Sequence, residues 1–408
     1  MLANLPQEIV DKIIDEIALD GSSETRDQTR DMKSFSLVSS KWSHRSRSYL
    51  FQSLEITSGS FPAWCETVRP GNVGPSPHVT YIRYKPSWPE TERSIGPLGG
   101  LDYSPSHISA FTRLRTLHFV NISLQHSGYL TCFGVLTGVV QELWLEDCQM
   151  DITQFVSFVR PFTSLQRLRL MRPQCANETK LQHWDMAEPP VLKGTLEFHQ
   201  PAKAASANIA SFTQEFSLLP AHFSTMVFRE RLETPTAANM LLAASRRTLT
   251  KLTLGHNGEP YSPHPRAVTP TVYHPILPFS AIPEGINLKS LDALKELELS
   301  TLFVQALPSV LRSIRSKHLR SIRFVLLIHQ FEDDVDYLTR QLWRKLDFEL
   351  CALADRIQAA NTHSSGELRV RFVDLDPTAP VWMVEEIARV YLPRSKEHGY
   401  IEQSFSVG

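Results

Sequence analysis

Hydrophobic residues recur at helical spacing near the beginning of the chain. Leu5, Ile9, Ile13, Ile14 and Ile17 follow one another at intervals of mostly three and four residues, and charged residues fill the opposite side. This pattern predicts an amphipathic helix. A second apolar stretch further along, with basic residues between its apolar positions, predicts one or two more short helices.

The segment between these two apolar stretches, residues 21–34, is polar. It contains a single apolar residue, Met32. Because so little apolar surface can be buried, we predict an exposed loop here. The module as a whole, residues 1–55, is near the lower size limit for an independent core, so its helices need a partner or the rest of the chain to cover their apolar faces.

Two motifs in this module resemble a known family. The segments LPQEIVDKIIDEI and SFSLVSSKWSHRSRSYLFQSLEI resemble the F-box, which begins with Leu-Pro-x-Glu-Ile and continues to Leu-Val-x-x-x-Trp. The resemblance implies binding to the Skp-family adaptor of a cullin-based ubiquitin ligase, while the rest of the chain selects a target. The positions that match the docking segments are Leu5, Pro6, Ile9, Ile13, Leu37, Val38 and Trp42. The polar insert at residues 21–34 departs from the family, which has a shorter acidic and leucine-containing link here.

A second interpretation of the same residues stays open. Leu37, Val38 and Trp42 would then form the core of a small helical subdomain packed on the rest of the protein, without a docking role. Exposure of these side chains distinguishes the two interpretations, because a docking surface must be accessible.

The rest of the chain, residues 56–408, repeats the apolar template Leu-x-x-Leu-x-Leu. The copies are LRTLHF, VQELWL, LQRLRL, LTKLTL, LKELEL and LRSIRF, with weaker copies VTYIRY, FSTMVF and LRVRF. Copies that start at residues 114, 140 and 165, and again at 294 and 319, are about 25 residues apart, which leaves room for one strand and one helix per unit. Helix-like stretches between the strands predict crossover connections and a parallel sheet.

This region resembles the leucine-rich-repeat solenoids that follow many F-boxes. We predict an α/β fold: a short helical F-box followed by an irregular leucine-rich-repeat-like solenoid, with parallel strands on its concave face and helices on its convex face. A proline-rich segment, residues 256–283, is expected to form an extended loop over one rim. Two helices that begin near residues 333 and 380 are expected to close the C-terminal end.

Side chains between the buried positions of the template are predicted to lie on the open face of the sheet, because side chains alternate along a strand. The candidates on this face are His118, Glu142, Trp144, Arg167, Arg169, Lys251 and Arg323. Parallel stacking would place Trp144 between His118 and Arg169, and Glu142 beside Arg167. Trp and Arg are enriched at interaction hot spots, so this face is a hypothetical binding site for a target protein. The alternative is that Trp144 is covered and the charges pair with one another.

The charge and cysteine content exclude several classes of protein. The chain has 42 Lys and Arg residues against 43 Asp and Glu residues, so nonspecific binding to nucleic acid or to an anionic membrane is disfavoured. Its five cysteines are scattered and never form a CxxC pair, which predicts a reducing compartment, the cytoplasm or the nucleus. We expect no membrane segment and no signal peptide, because no apolar run approaches about 20 residues.

The sequence also lacks the motifs of common active sites. GxSxG, GxxxxGKS/T and GxGxxG are absent. The acidic residues 332–336 are expected to cap a helix rather than bind a cation, and the histidines of the proline-rich segment lack the spacing of zinc ligands. We therefore predict a non-enzymatic protein without a cofactor or a metal ion.

The leading hypothesis is a substrate receptor of a Skp-cullin-F-box type ubiquitin ligase. It would dock on the Skp-family adaptor, and through it on a cullin, and would raise the local concentration of a target protein near the catalytic subunits. The alternative is a non-catalytic repeat scaffold for protein interactions without a ligase role. A third hypothesis is a hydrolase whose site is assembled from distant Ser or Cys, His and carboxylate side chains.

Overall fold

A computed structural model describes most of the predicted elements. The described residues are 5–19, 25–57, 59–60, 63–64, 67, 76–86, 111–124, 133–175, 191–199, 206–229, 235–255, 286–300, 307–326, 337–360, 368–374 and 389–397. The chain divides into two compact units, Met1–Gln166 with Glu259–His274, and Arg167–Gly258 with Pro275–Gly408. The proline-rich segment 256–283, the acidic residues 332–336 and most of the helix predicted from residue 380 lie outside the described residues.

Three helices open the first unit: α1 (Gln7–Leu19), α2 (Thr25–Val38) and α3 (Ser40–Leu50). The prediction of an exposed loop at residues 21–34 is wrong for the part from Thr25 onward, which is helical. Met32 explains the difference, because it is almost fully buried against the neighbouring helices. Met32, together with the partly buried Phe35 one turn later, anchors a helix whose first turns are polar.

A small apolar core holds these helices together. Val10 and Ile14 of α1, Met32 of α2 and Trp42 of α3 are buried against one another. The partly buried residues packed around them are Leu5, Ile13, Ile17, Ala18, Phe35, Tyr49 and Leu50. The ring centroids of Phe35 and Trp42 are 5.2 Å apart. All three helices therefore contribute to one core.

A polar cluster joins α1 to α3. Arg45 donates hydrogen bonds from Nε and Nη2 to the two carboxylate oxygens of Asp15, at 2.7 and 2.8 Å. The Tyr49 hydroxyl donates a third hydrogen bond to Asp15 Oδ1 at 2.9 Å. The hydrogen bonds from Arg45 hold the pKa of Asp15 below its ordinary value, so the carboxylate form is favoured in the folded state.

Four parallel strands follow in the first unit, each beside the next one in the chain. They are β1 (Ser53–Thr57), β2 (Tyr81–Lys85), β3 (Thr116–Val120) and β4 (Glu142–Glu146). A short strand β5 (Gln149–Met150) and helix α4 (Ile152–Val159) come next, and 3₁₀ turns lie at Ser76–His78 and Gly134–Leu136. The strand register places Arg83, His118 and Trp144 side by side.

Within the described residues, the sheet of the second unit has seven parallel strands. In the order of neighbours they are β6 (Arg167–Met171), β8 (Leu192–His199), β9 (Ala221–Arg229), β10 (Lys251–Leu254), β11 (Glu296–Ser300), β12 (Ser321–Leu326) and β13 (Arg369–Asp374), with a short β7 (Gln174–Cys175) outside this order. The helices described in this unit are α5 (Ser206–Ser217), α6 (Pro235–Ala244), α7 (Leu307–Ser313), α8 (Tyr337–Ala360) and α9 (Pro393–Glu397). Parallel strands linked through helices confirm the predicted α/β class.

The apolar positions of the template point into the core. The buried set includes Leu114, Leu117, Leu143, Leu145, Leu168, Leu170, Leu252, Leu254, Leu297, Leu299, Ile322 and Phe324. Each fully buried side chain of this kind contributes roughly 1.5–3 kcal/mol. The predicted apolar stripe of the long helix α8 is also buried at Leu346, Leu350, Leu353 and Ile357, so repeated burial of Leu and Ile is the main source of stability.

A residue in the left-handed backbone conformation, with positive φ, directly follows several strands. Asn121 after β3, Asp147 after β4 and Arg172 after β6 have φ values of 54°, 52° and 49°. Gly255 stands at the corresponding place after β10 with φ 116°. Asn, Asp and Gly adopt this conformation at low cost. The chain therefore leaves each of these four strands through a residue of positive φ.

Candidate functional site

The three N-terminal helices leave a group of apolar side chains accessible. Leu37 and Val38, the last two residues of α2, are 85% and 53% exposed, and Ile9 of α1 is 46% exposed. Pro6, just before α1, is also exposed. We call these four residues the amino-terminal apolar surface.

A hydrogen bond brings the start of α1 close to the junction of α2 and α3. Gln7 Nε2 donates to the carbonyl oxygen of Lys41 at 3.1 Å. Lys41 follows Val38, the end of α2, by only three residues. The two halves of the amino-terminal apolar surface therefore lie in the same region, although α1 and the end of α2 are far apart in sequence.

Trp42 does not belong to this surface. It is 4% exposed and packs in the core with Val10 and Ile14. Its predicted contact with an adaptor is therefore corrected, because only accessible atoms can meet a partner. Leu5 and Ile13 are half-buried around the same core. The interpretation of Leu37, Val38 and Trp42 as the core of a small helical subdomain therefore fits Trp42, which is buried. It does not fit Leu37 and Val38, which are exposed.

His118 is the centre of a polar network on the sheet face of the first unit. Tyr81 Oη is 2.6 Å from His118 Nδ1, and Glu146 Oε2 is 2.9 Å from His118 Nε2. When the Tyr81 hydroxyl donates to Nδ1, the neutral ring carries its hydrogen on Nε2, toward the carboxylate.

Trp144 packs beside this network. The centroid of its indole ring lies 5.3 Å from the centroid of the His118 ring and 5.7 Å from that of the Tyr81 ring. The indole Nε1 donates a hydrogen bond to Glu142 Oε2 at 3.3 Å. Trp144 is 7% exposed and His118 is 0% exposed, which corrects the expectation that both lie open on this face. Alternation along a strand predicts the direction of a side chain, whereas burial here depends on aromatic neighbours from adjacent strands.

Arg83 adds a cation to the same network. Its Nη1 is 3.5 Å from Glu55 Oε2, and its Nη2 is 3.7 Å from Glu146 Oε2. Glu146 therefore faces both an arginine and a histidine. Sequence reasoning did not select Tyr81 or Arg83, although the weaker copy VTYIRY alternates in the same way as the stronger copies and contained the signal.

Charged side chains on the second unit's sheet pair with their register partners on the next strand. The pairs are Arg169 with Glu197 at 2.5 Å, Lys251 with Glu296 at 3.3 Å and Arg323 with Glu298 at 3.2 Å. Arg167 is half-buried on the same sheet. These three pairs therefore agree with the alternative that the charged side chains of the sheet pair with one another.

Two buried polar residues of β8 were missed by sequence reasoning. Glu197 and His199 are almost fully buried, and His199 Nε2 lies 3.3 Å from Glu197 Oε1. Gly194, with φ 87°, lies where the pairing with β9 shifts register, and it interrupts the apolar template. The sequence still indicates a strand here, because Leu196 and Phe198 alternate with polar residues.

No model of a protein family and no curated protein sequence matches this chain. The residues and their geometry therefore carry the functional proposal.

Two of the cysteines, Cys148 and Cys351, carry thiols whose pKa is raised. Burial raises the pKa of the Cys148 thiol to about 12 and also raises the pKa of Cys351, so both thiols stay protonated at neutral pH. Within the described ranges, no group of three or more His, Cys, Asp or Glu side chains could hold a metal ion. No helix in the described part of the chain is long and apolar enough to cross a membrane.

Proposed function

We propose that this protein is a substrate receptor of a Skp-cullin-F-box type ubiquitin ligase. In this function it is a non-catalytic subunit of the cytoplasm or nucleus, which docks on a Skp-family adaptor through α1, α2 and α3 and binds a target protein through its strands. The observation that carries the proposal is the amino-terminal apolar surface. Its four residues match positions of the F-box docking segments, and exposed apolar groups on so small a module favour a protein partner.

The size of this surface is compatible with a specific complex. Burying an exposed Leu, Val or Ile side chain contributes roughly 1.5–3 kcal/mol. Leu37, Val38 and Ile9 are 85%, 53% and 46% exposed, so burying their accessible parts contributes roughly 3–5 kcal/mol. This is about half of the roughly 8 kcal/mol of a micromolar complex, before the costs of association are subtracted. Additional polar contacts around the apolar surface would supply the remainder.

In this proposal the target protein meets the exposed charges of the second unit's sheet. Lys251, Glu296 and Arg369 are exposed at matching register positions of β10, β11 and β13. The buried His118 and Trp144 would stiffen the first unit's sheet face instead of touching the target. A mixed row of accessible charges favours a protein target that carries both signs of charge.

A second candidate function is a repeat scaffold without a ligase role. The observation in its favour is the burial of Trp42, which matches the tryptophan of the F-box pattern and serves here as core. In this case α1, α2 and α3 would cap the first strand β1, which begins at Ser53, directly after α3.

Co-expression of the full chain with a Skp-family adaptor distinguishes the two functions. Leu37→Asp combined with Val38→Asp is expected to lower the recovered adaptor by about tenfold or more, because two charges would enter an apolar interface. The matched control is Val135→Asp, an exposed valine of the first unit outside these helices. Wild-type protein that is folded by circular dichroism but recovers no adaptor would favour the scaffold, as would an equal loss in the control.

A further inference from the structure

Four basic side chains gather at the amino-terminal ends of the first strands. His44 and Arg47 are one turn apart on α3 and so share a helix face. His78 ends the 3₁₀ turn before β2, and Arg113 precedes β3. We call these four residues the basic cluster; all of them belong to the first unit.

The geometry of the backbone and rings brings the members of the cluster together. The rings of His44 and His78 meet edge to face, with centroids 5.3 Å apart. The register of β2 and β3 pairs Tyr81 with Thr116. The backbone amides of Arg115 and Thr116 also donate to the carbonyl oxygen of Thr80, at 2.8 and 3.0 Å, so the segments that carry His78 and Arg113 enter neighbouring strands side by side.

The positive charges of the basic cluster act on one another. The pKa of His78 is lowered, first by burial and then by the positive charges of His44, Arg113 and Arg47. In the described part of the chain, no carboxylate forms an ion pair with any of these four side chains. Like charges that face one another without a partner destabilise the protein, and a bound anion removes this repulsion.

We propose that the basic cluster binds a phosphate group, either free or carried as a monoester on a peptide. Two guanidinium groups offer paired donors to phosphate oxygens, and protonated imidazoles add further donors. Nucleic acid is a poorer candidate, because the chain as a whole carries a formal net charge of −1 and lacks a basic stripe. None of the four residues belongs to the amino-terminal apolar surface, so this site is independent of the proposed adaptor contact.

The pH dependence of binding follows from the groups in the cluster. An anion binds the protonated form of His78 better than its neutral form, so the affinity for the anion rises as the pH falls. Sulfate is a suitable probe because it stays a dianion while phosphate itself titrates.

Calorimetric titration of the full-length protein with inorganic phosphate and with sulfate tests the site at constant ionic strength. Saturable binding is expected, and the affinity for sulfate is expected to fall about threefold or more between about pH 6 and about pH 8. Arg47→Gln combined with Arg113→Gln is expected to weaken phosphate binding about tenfold or more. The control Arg160→Gln removes an exposed arginine of the same unit outside the cluster and should leave the affinity unchanged.

Two further arms complete the test. A serine phosphopeptide that binds more tightly than inorganic phosphate assigns the ligand to a peptide, and equal or weaker binding assigns it to free phosphate. Arg113→Gln alone, which leaves α3 intact, should still weaken binding about threefold or more, so unfolding of the double variant cannot hide the result. Absence of saturable binding by folded wild-type protein overturns the proposal, as does an equal loss with Arg160→Gln.

Discussion

Replacement of Trp42 by Ala tests whether the N-terminal helices are held by the core described above. Trp42 is almost fully buried and contacts residues of both α1 and α2, including the Phe35 ring. Its removal deletes most of an indole from a core with few large side chains. Leu37→Ala is the matched comparison, because it truncates a side chain that is almost fully exposed.

The expected magnitudes differ strongly between the two variants. A buried Trp or Phe replaced by Ala typically costs about 3–5 kcal/mol, which combines lost burial with the cavity that remains. A surface substitution without special contacts stays within about 0.5 kcal/mol. The three helices form a small module, so a loss of several kcal/mol is a large part of its local stability.

Hydrogen exchange of the backbone amides in α1, α2 and α3 is the suitable assay, because it reports local opening in a chain with more than one unit. Trp42→Ala is expected to accelerate exchange in all three helices by about a hundredfold or more, and Leu37→Ala by less than about threefold. Strands β10 to β12 should keep their protection in both variants and serve as the internal control. Unchanged exchange in Trp42→Ala would refute the assignment of this side chain to the core.

Three further predictions concern individual contacts. The pKa of Asp15 is lower in the folded protein than in the unfolded chain. Its contribution to stability is therefore present above about pH 4 and is lost as the pH falls through the folded pKa. Asp15→Asn should therefore make amide exchange in α1 less sensitive to acid. Tyr81→Phe removes the hydroxyl that contacts the buried His118 Nδ1. The free energy of unfolding should fall by about 1–3 kcal/mol, which lowers the midpoint of thermal unfolding. Native Cys148 should resist a thiol reagent at about pH 8 and react only after unfolding, and rapid native labelling would contradict its burial.

The fold class was predictable because the apolar template depends on local sequence. Leu143 and Leu145 alternate with polar neighbours, and such a period specifies a strand with one buried face. The parallel order followed from the helical stretches between the strands. Met32 shows the limit of the same reasoning, because a count of apolar residues undervalues a single side chain that is well placed.

The candidate sites were harder to predict, since exposure is decided by tertiary packing. Leu37, Val38 and Trp42 lie within six positions of one another, yet the first two are exposed and the third is core. Alternation along β4 predicts a side of the sheet for Trp144, whereas its burial results from rings on the neighbouring strands. Only the register of β2, β3 and β4 shows which residues meet there.

The central claim is that the accessible apolar residues of α1 and α2 receive a Skp-family adaptor. Titration calorimetry of the intact chain with the purified adaptor, repeated at several temperatures, measures this most directly. Saturable binding with a negative heat-capacity change is expected, because apolar surface becomes buried in the complex. Absence of binding heat at every temperature, together with unchanged amide exchange at Leu37 and Val38 when adaptor is added to folded protein, would contradict it.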